Sequence, residues 1–224
     1  VPFWHPLKLA GEAAMTDVLS NGRLELGLAR GAYLYEYDRI IPGMDAMEAG
    51  MRMREIVPTL EKLWQGDYAH EGKYFQFPIS TSIPKPLQKN GPPIWIAARD
   101  PNSHEFAIAN NWHVQVTPLW KGFDEIARLK NIFDETCEKF PKNTKRLSML
   151  LNHCYIGNNE TDIEKGAIAV SKFYNNFGAW FKNSRKVVQG TLDPLTQEEI
   201  DNNEMYSTKE MRKNQNIGTL QEVI

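Results

Sequence analysis

The chain has 224 residues, 42% hydrophobic and 11% aromatic, enough to bury the core of one large domain or two small ones. Its 26 basic and 28 acidic residues are interspersed, and the formal charge of -2 gives no electrostatic footprint for nucleic acid or an anionic membrane. The longest apolar runs, 92–98 and 147–151, fall far short of the roughly 20 residues a membrane span needs. Two cysteines, Cys137 and Cys154, make no disulfide framework, so a cytoplasmic protein acting on a small molecule is expected.

Val1 to Trp4 run straight into a helical pattern without a charged leader, so the first strands of the fold are expected to lie upstream. Leu7, Ala10, Ala14 and Val18 recur at helical spacing until Asn21-Gly22 ends the run. A strand is predicted over 24–29: Leu24, Leu26 and Leu28 share one face, while Glu25, Gly27 and Ala29 are left for a crowded barrel interior. Arg30-Gly31 ends it, and an aromatic loop with Tyr33, Tyr35 and Tyr37 follows.

Asp45-x-x-Glu48 then opens a helix whose apolar positions are Met53, Ile56, Val57, Leu60, Leu63 and Trp64, with Pro58 predicted to kink it. Prolines at 78, 84, 86 and 92 mark 66–92 as a surface excursion without sustained period. Next come a strand at 93–98, a short helix near 103–110, a strand at 112–117 and a helix carrying Ile126, Leu129, Phe133, Cys137 and Phe140. A single strand is predicted over 147–156.

Thr161 and Glu164 read as a capping box opening a helix with apolar positions 163, 167, 170, 174, 177 and 181. Segment 193–213 reads as polar surface helix, making 161–213 a helical insertion. Ile217-Gly218-Thr219 with Glu222 is a strand end and capping box whose helix is expected to run on, leaving the last strand outside the chain.

Strand and helix alternate throughout, which gives an α/β class with right-handed parallel crossovers. Four such units make a small open sheet or a segment of a barrel, since a complete barrel needs eight units and about 250 residues.

Several motifs in register carry a resemblance. They are His5-Pro6-Leu7-x-Leu9-Ala10, Asp17-x-Leu19-Ser20-x-Gly22-Arg23-Leu24-x-Leu26-Gly27, Arg30-Gly31, Leu63-Trp64-x-Gly66, Gly72-x-Tyr74-x-x-Phe77, Gln88 and 92–98. Together with Ile217-Gly218-Thr219-x-x-Glu222-Val223 they resemble the luciferase-like flavin monooxygenases over nearly the whole chain. The resemblance implies one domain over 1–224, an incomplete (β/α)₈ TIM barrel of the luciferase-like type without its early strands and last strand.

The resemblance also implies that reduced FMN and O2 oxygenate a small organic substrate, with reducing equivalents from a separate flavin reductase or a nicotinamide, in a homo- or heterodimer. Alternatives are hydride transfer with the deazaflavin F420 on the same fold, or a flavin-binding relative without turnover. Flavin phosphate would lie where strand ends and helix N-termini offer N–H groups. Arg30 matches the family's arginine near the phosphate, suited to bidentate contact, against a rim salt bridge as the plain structural use. Arg99, Asn102 and Ser103 join it at the next strand-to-helix turn.

Asp100 stands where a serine is common. Its carboxylate would repel a phosphate, and N-cap with Pro101 at the first helical position is its alternative role, so it ranks second among the cofactor-binding residues. Tyr33, Tyr35, Tyr37 and Trp120 can wall the flavin ring or an apolar substrate, or pack a core or lid. His5 reads as a capping residue. His70, His104, His113 and His153 lack metal-ligand spacing, so no metal is expected. Neither a Gly-x-Ser-x-Gly elbow nor a Walker or Gly-x-Gly-x-x-Gly motif occurs. The proton-handling histidines of the family sit mostly on early strands, so the catalytic acid or base is left unnamed.

Overall fold

The computed structural model describes residues 1–143, 146–182 and 185–224. The chain clusters into two compact units, 1–115 with 135–149 and 116–134 with 150–224.

In the first unit, α1 (Pro6–Leu19) starts at His5, whose Nδ1 accepts the Leu7 N–H at 3.3 Å, with Pro6 in the first turn; the ring thus caps the helix. Asn21 and Gly22 both adopt positive φ and end it, as a left-handed stop requires. β1 (Leu26–Leu28) is shorter than expected, yet the alternation holds: Leu28 is buried while Glu25, Gly27 and Ala29 are exposed.

The loop expected after Arg30 contains a helix, α2 (Leu34–Ile40). Tyr37 and Ile41, one turn apart, pack with Phe3, Met44 and Ala49, and burying that pair selects a helical turn over an irregular loop. α3 (Ala46–Gln65) begins at Asp45, which accepts the Glu48 N–H at 2.7 Å. It buries the predicted face, Met53 to Trp64, and stays helical on both sides of Pro58.

The excursion at 66–92 is more ordered than its prolines suggested, because β2 (Tyr68–Glu71) and β3 (Gln76–Ser80) form an antiparallel hairpin. The cause lies elsewhere in the sequence. The Glu55 carboxylate on α3 accepts the backbone N–H groups of Tyr74 and Phe75 and lies 3.1 Å from His70 Nε2.

Then come β4 (Ile94–Ala97), α4 (Pro101–Ala109), β5 (His113–Val116), α5 (Phe123–Lys139) and β6 (Ser148–Leu150). The sheet order is β1-β4-β5-β6, with β1, β4 and β5 parallel. Ile94, Ile96, Val114 and Leu28 are buried on one face, whereas Gly27, Trp95, Ala97, His113 and Gln115 point to the other.

In the second unit, the single strand expected over 147–156 proves to be two. After β6, Asn152 Oδ1 accepts the His153 N–H; β7 (Cys154–Ile156) then pairs in parallel with β10 (Asn216–Gly218). Unbroken alternation cannot reveal a change of hydrogen-bonding partner.

α6 (Glu160–Phe181) begins at Asn159, whose side chain accepts the Asp162 N–H at 3.1 Å. The expected Thr161–Glu164 box is therefore replaced by a stronger N-cap residue two positions earlier. The predicted stripe does pack, with Ile163, Ala167, Val170 and Tyr174 buried.

The polar helix expected over 193–213 is broken into pieces. After the short hairpin of β8 (Val187–Val188) and β9 (Thr191–Leu192) come α7 (Gln197–Asp201), a 3₁₀ turn at Glu204–Tyr206 and α8 (Thr208–Asn214). Tyr206 and Met211 from these pieces join the α6 core with Ile217, so a segment polar in composition still contributes buried anchors. α9 (Leu220–Val223) has the expected capping box: Glu222 accepts the Thr219 N–H at 2.7 Å.

Candidate functional site

The register Leu26↔Ile94, Gly27↔Trp95 and Leu28↔Ile96 sets the carboxyl ends of β1 and β4 side by side. Arg30 and Arg99, each two residues past its strand, therefore leave the sheet at one rim. α3 ties the two turns together. Arg30 Nη1 donates to the Ala46 carbonyl at 2.9 Å, and Arg54 Nη2 donates to the Asn102 carbonyl at 3.1 Å. Ala46 and Arg54 are eight residues apart on that helix, about 12 Å along its axis.

The Arg30 turn is shaped by Tyr37, which is 0% exposed and donates its hydroxyl to the Gly31 carbonyl at 2.9 Å and the Arg30 carbonyl at 3.2 Å. Gly31 has φ +87, and a Cβ there would press the Tyr37 ring at 3.2 Å, so only glycine fits without strain. The Arg30 side chain itself is exposed.

At α4 the plain structural role of Asp100 is realised. Its carboxylate accepts the Ser103 N–H at 3.0 Å and the Ser103 hydroxyl at 2.7 Å, with Pro101 following. Burial pushes the Asp100 carboxyl up, but the hydrogen bonds from Ser103 and Asn102 and the Arg54 charge outweigh it and hold the group below its ordinary range. This helix start thus already carries an anion, seated where the helix dipole favours one. A phosphate fits the exposed Arg30 guanidinium; at Ser103 it must compete with Asp100. Asn102 is exposed, and Arg99 is half-buried.

Tyr33 occupies the N-cap position of α2, and the Arg39 guanidinium stacks on the Tyr35 ring, 3.1 Å from its centroid. Trp120 lies in the second unit, edge-on to Tyr174 at 6.2 Å and Tyr206 at 5.2 Å. The structure thus brings Arg30, Arg99, Asp100, Asn102 and Ser103 to one rim, and Trp120 is placed by a separate core.

Below the rim, on the sheet face carrying Gly27, Trp95 Nε1 donates to Glu25 at 2.6 Å and the Trp95 ring packs against His113 at 4.5 Å. His113 Nδ1 accepts the Leu147 N–H at 3.1 Å, and burial lowers its pKa.

Sequence reasoning missed one residue here. Arg54 counters the Asp100 charge from a helix position that no motif marks. Among the described residues no His, Cys, Asp or Glu cluster has metal-binding geometry, and no helix is long and apolar enough to cross a membrane.

Parallel βα units whose strand ends share a charged rim define an α/β protein of the TIM-barrel type. The chain belongs to the luciferase-like monooxygenase family, whose model matches residues 1–224. It is 55% identical over 223 residues to the oxygenase component of a flavin-dependent trigonelline monooxygenase from Acinetobacter baylyi, covering 100% of this chain and 62% of that protein.

Among solved structures it resembles a monooxygenase from Streptomyces bottropensis at TM-score 0.71 and 25% identity, over 82% of this chain and 56% of that one. A coenzyme F420-dependent tetrahydromethanopterin reductase from Methanopyrus kandleri aligns at TM-score 0.69 and 17% identity, over 99% and 69%; at that identity the likeness is one of fold. The chain therefore spans less than two thirds of the length of its Acinetobacter relative.

Proposed function

We propose that the protein carrying this chain is the oxygenase component of a flavin-dependent monooxygenase, with 1–224 forming part of a single (β/α)₈ domain. Reduced FMN is its cofactor, delivered by a separate flavin reductase, and O2 its co-substrate. The substrate class is an N-methylated pyridine carboxylate such as trigonelline, by likeness to the Acinetobacter relative. The protein works as a dimer in the cytoplasm.

The observation that carries the reading is the β1–β4 register, which gathers Arg30 and the α4 start at one rim. Arg30 and Arg99 supply charge for the flavin phosphate, with Ser103 and the N–H groups of Asn102 and Ser103 joining if Asp100 yields. Bound reduced flavin supplies the oxygen-activating chemistry. The chain contributes anchoring and a dry pocket, walled on the first unit by Tyr33 and Tyr35, that keeps water from the reacting atoms. F420 is the less favoured cofactor, since the relative at 55% identity is named for flavin.

The test uses the full-length protein with photoreduced FMN and, separately, reduced F420. Trigonelline-dependent O2 consumption with oxygenated product supports the reading. Substrate-dependent F420 turnover without O2 uptake would overturn it.

A further inference from the structure

The start of α4 carries a charge of the wrong sign for a phosphate, and a cation from another helix stands beside it. Arg54, in the third turn of α3, reaches across to α4 at two points. Its Nη2 donates to the Asn102 carbonyl at 3.1 Å, and its guanidinium carbon lies 4.7 Å from the centroid of the Phe106 ring. Asn102 and Phe106 are four residues apart and share one helix face. Arg54 is half-buried, so a hydrogen bond and an aromatic face together fix where its charge sits.

Asp100 feels that charge. Burial works against its carboxylate, and the hydrogen bonds from Ser103 and Asn102 together with the Arg54 cation outweigh it. Glu105, the next acid along α4, has its own partner in Lys139 at 3.7 Å, which leaves Arg54 matched to Asp100. The turn and its helix neighbour thus set two cations, Arg99 and Arg54, against one anion, Asp100. Without Arg54 the turn would be formally neutral, and a phosphate dianion would gain nothing from approaching it.

We infer that Arg54 is a positioning residue for the flavin phosphate, acting through Asp100: it cancels the repulsion of that carboxylate, so that an acidic N-cap and an anionic cofactor can share one helix start. The inference rests on the flavin reading above and adds the residue that makes the acidic turn compatible with it. Arg30 approaches the same rim from β1, whereas Arg54 works from the α3 side and touches α4 alone of the two turns.

The experiment titrates FMN and riboflavin against the full-length protein and against Arg54→Gln, Asp100→Asn and the double variant, by quenching of flavin fluorescence at low and high salt. Thermal denaturation of each protein checks folding. Glutamine keeps a donor for the Asn102 carbonyl and loses the charge. Arg54→Gln should weaken FMN binding about three- to tenfold at low salt, less at high salt, and leave riboflavin binding level. Adding Asp100→Asn should restore most of that loss, because both charges are then gone and asparagine still caps α4.

Arg54→Lys keeps the charge without the planar fork and should bind FMN nearly as wild type does. Arg54→Met keeps an unbranched side chain against Phe106 and should show the same loss as glutamine, so it serves if the glutamine variant fails to fold. Unchanged FMN affinity, equal losses for FMN and riboflavin, or a loss that Asp100→Asn does not relieve overturns the Arg54 assignment and leaves the cofactor reading standing. If wild type binds no flavin at all, the cofactor reading itself falls, and the Arg54 role falls with it.

Discussion

Asp17 and Gln88 are 71 residues apart in sequence and joined by two hydrogen bonds: the carboxylate accepts the Gln88 backbone N–H at 3.0 Å and its side-chain Nε2–H at 2.9 Å. The same Nε2 donates to the Leu24 carbonyl at 2.7 Å. Two residues of the family signature thus act as one device, which clamps the end of the 66–92 segment onto the turn between α1 and β1. That turn sets where β1 begins, and so where Arg30 emerges.

Asp17 is 0% exposed. Burial pushes its carboxyl up, but the hydrogen bonds from Gln88 and the backbone at Leu24 and Leu87 outweigh this and leave it below its ordinary value of 3.8. A depressed folded pKa contributes stability that is full above the unfolded value and lost as pH falls through the folded one. Asp17→Asn should cost about 1–3 kcal/mol at neutral pH, and the loss should shrink as wild type itself is acidified below pH 4. Denaturant titrations of both proteins at neutral and acid pH check this; a pH-independent difference would contradict it.

Arg30→Ala should weaken FMN binding by ~1.5–3 kcal/mol, the range for a charge-assisted hydrogen bond, and hardly change riboflavin binding. Fluorescence titration with both flavins is the measurement. Equal losses for both would remove Arg30 from the phosphate role.

Asp100→Ser keeps an N-cap oxygen at α4, so stability should change by a few tenths of a kcal/mol at most. It removes the carboxylate that now holds both Ser103 donors. FMN affinity should rise while riboflavin affinity stays level, and unchanged FMN affinity would show that the α4 start does not meet the phosphate.

Glu55→Ala removes the acceptor for the Tyr74 and Phe75 N–H groups. Hydrogen exchange at these amides should accelerate well beyond any change in the α3 core, because the hairpin opens locally. Uniform acceleration across the first unit would mean that Glu55 supports the whole core.

In the second unit, a Cβ on Gly178 would meet the buried Tyr206 ring at 2.7 Å. Gly178→Ala should destabilise by about 1–3 kcal/mol through overpacking, despite the better helix propensity of alanine. A raised melting temperature would show that Tyr206 moves aside freely.

What the amino-acid sequence determined by itself was local and periodic. The α3 face, the α6 stripe, the leucine face of β1, the Asn21-Gly22 stop and the Thr219–Glu222 cap all follow from spacing and residue type within a few turns. The α/β class follows from their alternation, and Arg30 was singled out because it ends a strand.

Tertiary structure decided whatever depends on a partner distant in the chain. The 66–92 hairpin is organised by Glu55, a carboxylate on another element. The break between β6 and β7 exists because β7 pairs with β10, some 60 residues on. Tyr206 and Met211 are buried only because α6 supplies a core for them. Each of these outcomes is set by which groups meet in space, and residue periodicity carries no record of that.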